Sequence, residues 1–491
     1  MSEREFLLYD TLSRKVKPLQ TVEPGHLRFY SCGPTVYNYA HIGNFRTFLT
    51  SDLIVRTAEA IGWRVTYVSN ITDVGHLTQD DLADAGGDDK MASALKSKEG
   101  EQFANIWDLA RFYADAFESD WRKLNLKEPT IRPRATDHMR EQIVEIQQLI
   151  ESGNAYETPT GVYFSVDSFS EYGKLSGNRD RENLQVGVRD VVKDDNKKNP
   201  ADFALWKKDD KHLMQWYSPW GWGFPGWHIE CSAMARKYLG DTIDLHGGGE
   251  DLKFPHHECE IAQSESSSGK PFSNHWLHVT FLQVEGEKMS KSKGNYFTPR
   301  DLFEKGFDPL ALRLALLAVP YNKPHNFTLQ GLKDAEGHIE RFRECTRRIE
   351  VAGDIQAREA SGDLGKIYDE MLGAMLNDLN TSVAIAKALE GVKVILKQPQ
   401  LSSEIAAEAK WFLQKTNQLL GIVSHDYPDD CDKPADVETL VDGQSVEFWI
   451  QERQAAKMAK DFSTADEIRN KLVAAGIELR DAPEGTTWIK R

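Results

Sequence analysis

No run of this chain is apolar for long enough to cross a membrane: the greasiest, Leu310 to Val319, is interrupted by Arg313 and falls far short of the ~20 residues a span needs. The first residues, Met1-Ser2-Glu3-Arg4-Glu5, lack the apolar core of an export signal, so a cytoplasmic protein with no membrane partner is expected. Cysteine is scarce. Five lie scattered over 491 residues with no CxxC pair, which excludes a disulfide framework and leaves reduced thiols. No internal repeat or long low-complexity segment is present, which excludes a solenoid. Basic residues are outnumbered, 60 Lys and Arg against 76 Asp and Glu, and the net charge of −16 argues at first against a nucleic-acid partner. Global charge is a poor guide, because attraction acts through local patches within a Debye length, ~8 Å at physiological salt. Three patches are available: Lys288/Lys291/Lys293, Arg341/Arg343/Arg347/Arg348 and Lys457/Lys460/Arg469/Lys471. For any one of them a solvated helix face is the plainer account.

The composition that is present, 40% hydrophobic and 28% charged, is that of an ordinary globular chain, and its length is too great for one core, so two to four domains are expected. Residues 26–32 read as a buried strand ending in a turn at Gly33-Pro34. From Ile42 to Ile61 apolar residues recur at helical spacing (Phe45, Phe48, Leu49, Leu53, Ile54) until Gly62 stops them. Residues 64–71 are again strand-like. This is a βαβ unit, the opening half of a Rossmann-type parallel sheet, and it sets the expected fold class as α/β. Helices are expected over 100–124 and 137–152, then a polar insertion over 155–215 with Gly161 to Phe164 strand-like. The sheet resumes near Pro225, with Ile229–Leu239 helical, Thr242–His246 a strand, a Gly247-Gly248-Gly249 turn, a helix over 256–266 and a strand over 275–283. Beyond 325 the pattern is helical, and Pro428 and Pro434 mark a linker. The expected divisions are 1–130 and 219–284 for the two halves of the sheet, 131–218 for the insertion, and 285–328 for a lysine loop and the segment after it. An all-helical bundle is expected over 329–425, with the linker and a small terminal module over 426–491.

Two short words stand in a telling order. His41-Ile42-Gly43-Asn44 sits where the first strand gives way to its helix, and Lys288-Met289-Ser290-Lys291-Ser292 is a basic loop ending in Gly294-Asn295. A histidine at the positive end of a helix and lysines on a loop are groups able to hold phosphates. Either word alone is weak evidence, since a capping histidine and a solvated lysine loop are the plainer accounts. Cys32, Cys231, His256 and Glu260 add a second chemistry. Cys32 ends the first strand at the carboxyl edge of the sheet, where open α/β folds bind ligands. Cys231 opens a later helix, and His256 and Glu260, four apart, share one helix face. Two thiolates, an imidazole and a carboxylate can hold one zinc ion. Spacing does not choose between His256 and His257, Cys259 lies on the same helix, and buried cysteine is more often plain core.

The order of the two words resembles the nucleotide signatures of class I aminoacyl-tRNA synthetases, HIGH and KMSKS, complete in the second and three letters of four in the first. Phe29 to Tyr37, Gly226 to Met234 and Leu245 to Gln263 resemble the strand leading into HIGH, the second cysteine motif and the HGGG…FPHHExE segment of the cysteinyl-tRNA synthetase family. The resemblance spans nearly the whole chain and is strongest over 26–80 and 220–300. It implies a ligase that activates L-cysteine with ATP and Mg²⁺ to cysteinyl-adenylate and passes it to the 3′ end of tRNA(Cys). It implies one Zn²⁺ per chain, held by Cys32, Cys231, His256 and Glu260, that selects the cysteine thiolate. Catalytic roles fall to His41, Asn44, Lys288 and Lys291, and contacts to ATP or the amino acid to Gly33, Thr35, Gly43, Trp227, Gly248 and Asp251 as well. It further implies stem contacts after the lysine loop, an anticodon-binding bundle over 329–425, Trp488 in a small terminal module, and a monomer. No editing domain is evident, and direct metal contact would supply the discrimination that a pocket reading one methylene, worth ~1–3 kcal/mol, cannot.

Two departures from the family pattern stand out. Asn44 replaces the second histidine; an amide donates a neutral hydrogen bond but cannot become cationic, so a hydrogen-bonding role is expected to survive the exchange. After Asn70-Ile71-Thr72-Asp73 the chain runs through Val74-Gly75-His76 to Asp88-Asp89-Lys90, where the family continues compactly, and a surface insertion over 74–90 is expected. Among rivals, a cysteine ligase of mycothiol biosynthesis lacks the long C-terminal half, and a methionine synthetase has no need of a thiolate-selecting metal. A catalytically silent paralogue has no need of Lys291, Cys32 and Cys231.

Overall fold

The structure, a computed structural model, describes residues 5–74, 89–178, 196–290, 294–426, 440–441, 444–458, 461–475, 477–482 and 485–490. A hairpin of β1 (Leu7–Asp10) and β2 (Lys15–Pro18) precedes the expected βαβ unit, β3 (His26–Ser31), α1 (Ile42–Ala60) and β4 (Arg64–Ser69), whose strands pair in parallel from His26↔Arg64 to Ser31↔Ser69. Helices α2 (Lys90–Leu95), α3 (Ile106–Lys123) and α4 (Met139–Glu151) lead to an antiparallel sheet. Its strands are β5 (Ala155–Glu157), β6 (Gly161–Phe164), β7 (Phe203–Lys208), β8 (Trp216–Ser218) and β9 (Gly221–Pro225), in the order β5-β6-β7-β9-β8. The last of them runs to Pro225, inside the segment expected to reopen the parallel sheet. That sheet is completed by α5 (Trp227–Leu239), β10 (Leu245–Gly249), α6 (His256–Ser268) and β11 (Trp276–Val279), in the order β11-β10-β3-β4.

Two expectations fail here for visible reasons. The glycine run is not a turn: Gly247, Gly248 and Gly249 lie within β10 and pair with Leu277, His278 and Val279 of β11. A Cβ at Gly248 would meet the His257 ring at 2.8 Å and one at Gly247 the Phe29 ring at 3.2 Å, so glycine here serves close packing inside a strand. Residues 275–283 are not one strand either. After β11 the chain bends at Thr280-Phe281, where buried Arg46 donates to both carbonyls (2.6 and 3.2 Å) and to those of Pro320 and Lys323. It then enters a separate small sheet of β12 (Leu282–Val284), β13 (Glu287–Lys288) and, after α7 (Pro299–Glu304) and α8 (Pro309–Leu317), β14 (His325–Phe327).

Alternation along β3 divides the molecule. Leu27 and Phe29 point into a core shared with α1, α8 and the bundle α9 (Leu329–Val351), α10 (Asp363–Leu376), α11 (Thr381–Leu396) and α12 (Ser403–Leu420). Tyr30 and Cys32 point into a second core built from α3, α4, α5, α6 and the antiparallel sheet. Everything to Tyr427 is therefore one compact unit. The second unit, Pro428–Arg491, holds a short hairpin of β15 (Leu440–Val441) and β16 (Gln444–Ser445), then α13 (Val446–Met458) and α14 (Phe462–Ala474). A hairpin of β17 (Ile477–Ala482) and β18 (Gly485–Lys490) closes the unit, and Val446, Ile468, Leu472 and Ile477 form its small core. Trp488 falls in β18, opposite Leu479. Of the expected insertion over 74–90, residues 75–88 lie outside the described residues.

Candidate metal and nucleotide site

Three elements aim donors at one point on the carboxyl edge of the parallel sheet. Cys32 follows β3 and is held by its own N–H donating to the Gly247 carbonyl (3.2 Å). Cys231 lies in the first half of α5, and His256 and Glu260 lie one turn apart at the start of α6. All four are buried, and one ligand atom from each lies within 4.8 Å of the others. The two sulfurs are 3.9 Å apart, Cys32 Sγ is 3.7 Å from Glu260 Oε1, and His256 Nε2 is 3.0 Å from the same oxygen. Two thiols, one imidazole and one carboxylate at this separation suit a zinc ion. Cys259 is turned away, its sulfur 3.4 Å from the Tyr172 hydroxyl.

Charges in the cluster are strongly biased. Burial opposes ionisation of Glu260, yet His246 and His256 hold its carboxyl down to about 2. Burial likewise opposes charge on His256, but Glu260 and Cys231 raise it to about 10. The bond from Cys32 pulls the Cys231 thiol down to about 6, while burial and Cys231 itself push Cys32 well above the usual thiol range. A proton thus sits among the donors where a metal cation would replace it.

Sequence reasoning named His257 only as an alternative to His256, and it missed His246, His278 and His228 around this cluster. His246 Nε2 lies 2.8 Å from Glu260 Oε2, and His257 Nε2 is 3.4 Å from Cys32 Sγ with its other nitrogen 2.8 Å from His278 Nε2. Cys32, His246, His257 and Glu260 make a second group of four whose ligand atoms are as close together, sharing two members with the first. His228 Nδ1 also approaches His256 Nδ1, at 2.9 Å. The one available signal was position: His246 stands two residues before Gly248 in the strand, hence on the same face as the glycine that His257 packs upon.

The nucleotide-motif residues gather at the start of α1. His41 is its N-cap: His41 Nδ1 accepts from the Asn44 N–H (3.1 Å) and Asn44 Oδ1 accepts from the His41 N–H (3.0 Å), a capping box. Asn44 therefore uses its oxygen to fix the helix start. Burial lowers His41 to about 4, so its ring is neutral at pH 7. Gly33 is required where it stands, because a Cβ there would run into the Asn70 backbone oxygen, and its N–H donates to Asn70 Oδ1 at 2.9 Å. Thr35 bridges to Thr72. Trp227 stacks on His256 with ring centres 4.2 Å apart. Gly43 lies beneath Met289, and Asp251 is exposed in the short turn after β10. Lys288 is exposed in β13; Lys291 lies outside the described residues.

Of the basic patches, the arginine run on α9 is largely neutralised: Arg343 pairs with Asp308, Arg347 with Glu340 and Glu344, and Arg348 with Glu344. Among the described residues no helix is long and apolar enough to cross a membrane.

Residues 18–337 match the family described as tRNA synthetases class I (C) catalytic domain. The chain is 53% identical to a cysteine–tRNA ligase of Salinibacter ruber, over 100% of this chain and 99% of the relative. It is 42% identical to a cysteine–tRNA ligase of Chlorobaculum tepidum, over 99% of each. Among solved structures it is similar to methionyl-tRNA synthetase of Mycobacterium tuberculosis with methionyl-adenylate (TM-score 0.54, 16% identity, 81% of this chain and 90% of that one). It is also similar to the LeuRS of Agrobacterium radiobacter K84 in a complex with tRNA and LeuAMS (TM-score 0.59, 10% identity, 85% and 86%). At such identities these two structures speak for the fold alone.

Proposed function

Because the chain belongs to the cysteine–tRNA ligase family of class I aminoacyl-tRNA synthetases, we propose that it joins L-cysteine to tRNA(Cys) through a cysteinyl-adenylate, with zinc at Cys32, Cys231, His256 and Glu260. The observation that carries the metal part of this reading is the convergence of those four buried donors, two of them thiols, from three separate elements. A zinc ion bound there supplies a soft Lewis acid that takes a substrate thiol as thiolate and a hydroxyl far less readily. Trp227, stacked on His256, forms a rigid wall beside the thiol.

In the first step a cysteine carboxylate oxygen bonds to the α-phosphorus of ATP, and the bond from that phosphorus to the bridging oxygen breaks to release pyrophosphate with Mg²⁺. Negative charge develops on the phosphates, so fixed donors lower the barrier. The neutral His41 ring and the positive end of α1 stabilise that charge without the cost of ionising a buried imidazole. Lys288 and Lys291 serve the leaving pyrophosphate. Gly33, Thr35, Gly43, Gly248 and Asp251 border the adenylate, with Asp251 on the ribose side. In the second step the terminal ribose hydroxyl of tRNA attacks the mixed anhydride and AMP leaves. Residues 285–328 meet the stem, 329–425 the anticodon side, and the protein acts as a cytoplasmic monomer. The match to cysteine–tRNA ligases over the full length weighs against the shorter cysteine ligase that shares only the catalytic core.

The test is cysteine-dependent ATP–pyrophosphate exchange with serine and methionine as controls, alongside metal analysis. Exchange with cysteine alone, lost in Cys231→Ala, is expected. Absence of exchange from protein with stoichiometric zinc would overturn the proposal.

A further inference from the structure

We infer that Asn295 is a positioning residue for the adenylation step, its side-chain amide setting the base of the lysine loop against the first turn of α1. The inference rests on the reading of the protein as a cysteine-activating ligase. Asn295 Oδ1 accepts the Ser290 N–H at 2.8 Å, and Asn295 Nδ2 donates to the carbonyls of Lys288 (3.2 Å) and Val284 (3.4 Å). One short amide therefore ties the end of β12, the end of β13 and the residue after Met289 to a point downstream of the loop. Gly294, at φ +69°, takes the left-handed conformation that turns the chain back to allow this.

The neighbours of Asn295 reach the other motif. The Tyr296 ring meets the His41 ring edge-on, with centres 5.3 Å apart. The Phe297 carbonyl accepts the Ile42 N–H at 3.0 Å, one of the helix-start donors that has no acceptor within α1. From the loop side, Met289 presses on the glycine of the same turn: a Cβ at Gly43 would come within 2.8 Å of its methyl carbon. Downstream, Thr298 and Asp301 form a capping box that starts α7, so the stretch is anchored beyond Phe297 as well. The register of Lys288 relative to His41 is thus set by Asn295, whose amide bridges the two sides of the loop base as donor and acceptor at once. Of its three bonds, the one to Lys288 is exposed and those to Ser290 and Val284 are part-buried, so water can reach these groups when the amide is removed and its loss disturbs register more than folding.

Alanine removes both functions of the amide, and aspartate keeps the acceptor for Ser290 but loses the donor to Lys288. In Asn295→Ala, which removes all three hydrogen bonds of the side chain, the turnover of cysteine-dependent ATP–pyrophosphate exchange is expected to fall on the order of tenfold. The KM for cysteine, bound zinc and the transfer of cysteine to tRNA from preformed adenylate should stay as in wild type. Asn295→Asp should fall at least severalfold on the same readouts, and it carries the test if the alanine variant is insoluble. An exchange rate within twofold of wild type, or a loss that comes with lost zinc or a raised KM for cysteine, overturns the inference. Wild-type protein without cysteine-dependent exchange would instead overturn the functional reading itself.

Discussion

Glu145 offers a prediction whose size follows from one buried carboxyl. It lies on α4, 2% exposed; Oε1 accepts from Ser267 Oγ at 3.2 Å, and Oε2 has no hydrogen-bond partner among the described residues. Burial raises its carboxyl to about 7 from the ordinary 4.5, in spite of Arg236, whose guanidinium is engaged by Asp241 and Gln148. One turn earlier, Gln142 Oε1 is also without a hydrogen-bond partner among the described residues. The folded pKa lies above the unfolded one, so the folded state holds this proton more tightly. Below pH 4.5 the carboxyl is neutral in both states and costs nothing. Between 4.5 and about 7 stability falls, and above that range the full penalty stands. At ~1.4 kcal/mol per pH unit a rise from 4.5 to about 7 amounts to roughly 3 kcal/mol. Glu145→Gln, neutral at every pH and similar in shape, should remove it. Thermal midpoints of wild type and variant, taken at a fixed scan rate, should differ little at pH 5. At pH 8 the variant should be higher by several degrees. A difference equal at both pH values would refute this reasoning, because it would show that shape or hydrogen bonding, not ionisation, sets the cost.

Cys231→Ala should lose bound zinc and with it cysteine-dependent exchange; full zinc content in the variant, read by elemental analysis, would contradict the proposed ligand set. Asn44→Ala removes the acceptor for the His41 N–H, the N3 half of the capping box, and should slow exchange far more than Asn44→His. Equal exchange rates for the two variants would count against a hydrogen-bonding role. Asp52, fully buried, accepts from Arg56 Nε at 2.8 Å, from Arg313 and from the Lys127 N–H. Asp52→Ala leaves the buried Arg313 guanidinium without its paired carboxylate and Arg56 with Asp426 alone, and should cost about 3–5 kcal/mol, seen as a large drop in thermal midpoint or in soluble yield. A midpoint within a degree of wild type would contradict this account.

Local rules carried the βαβ unit, because its information is local: apolar residues at helical spacing from Phe45 to Ile54, a cap at His41, and Gly62 at φ +86° to end the turn. The cap also exposes a limit, since Asn44 was legible as a neutral hydrogen-bonding residue while its partner, the His41 backbone, was not. The strand read through 275–283 failed because periodicity cannot register an arginine from α1 drawing four carbonyls into a bend. The glycine run failed because three glycines signal a turn as readily as a strand, and only the rings of His257 and Phe29 on either side distinguish the two.

Residue types and their spacing settled the kind of chemistry: which donors exist, that two of them are thiols, and that Glu260 shares a helix face with a histidine, His256 or His257. Which donors meet was left to the packing of the folded chain. Cys32 and Cys231 are brought to 3.9 Å by the packing of α5 against β3, Cys259 is turned toward Tyr172, and His246 is set against Glu260 by a neighbouring strand. Residues adjacent on a helix point about 100° apart, so which of His256 and His257 faces Cys231 depends on how α6 is rotated in the core. That rotation is set by contacts among residues far apart in the chain, which no local pattern contains.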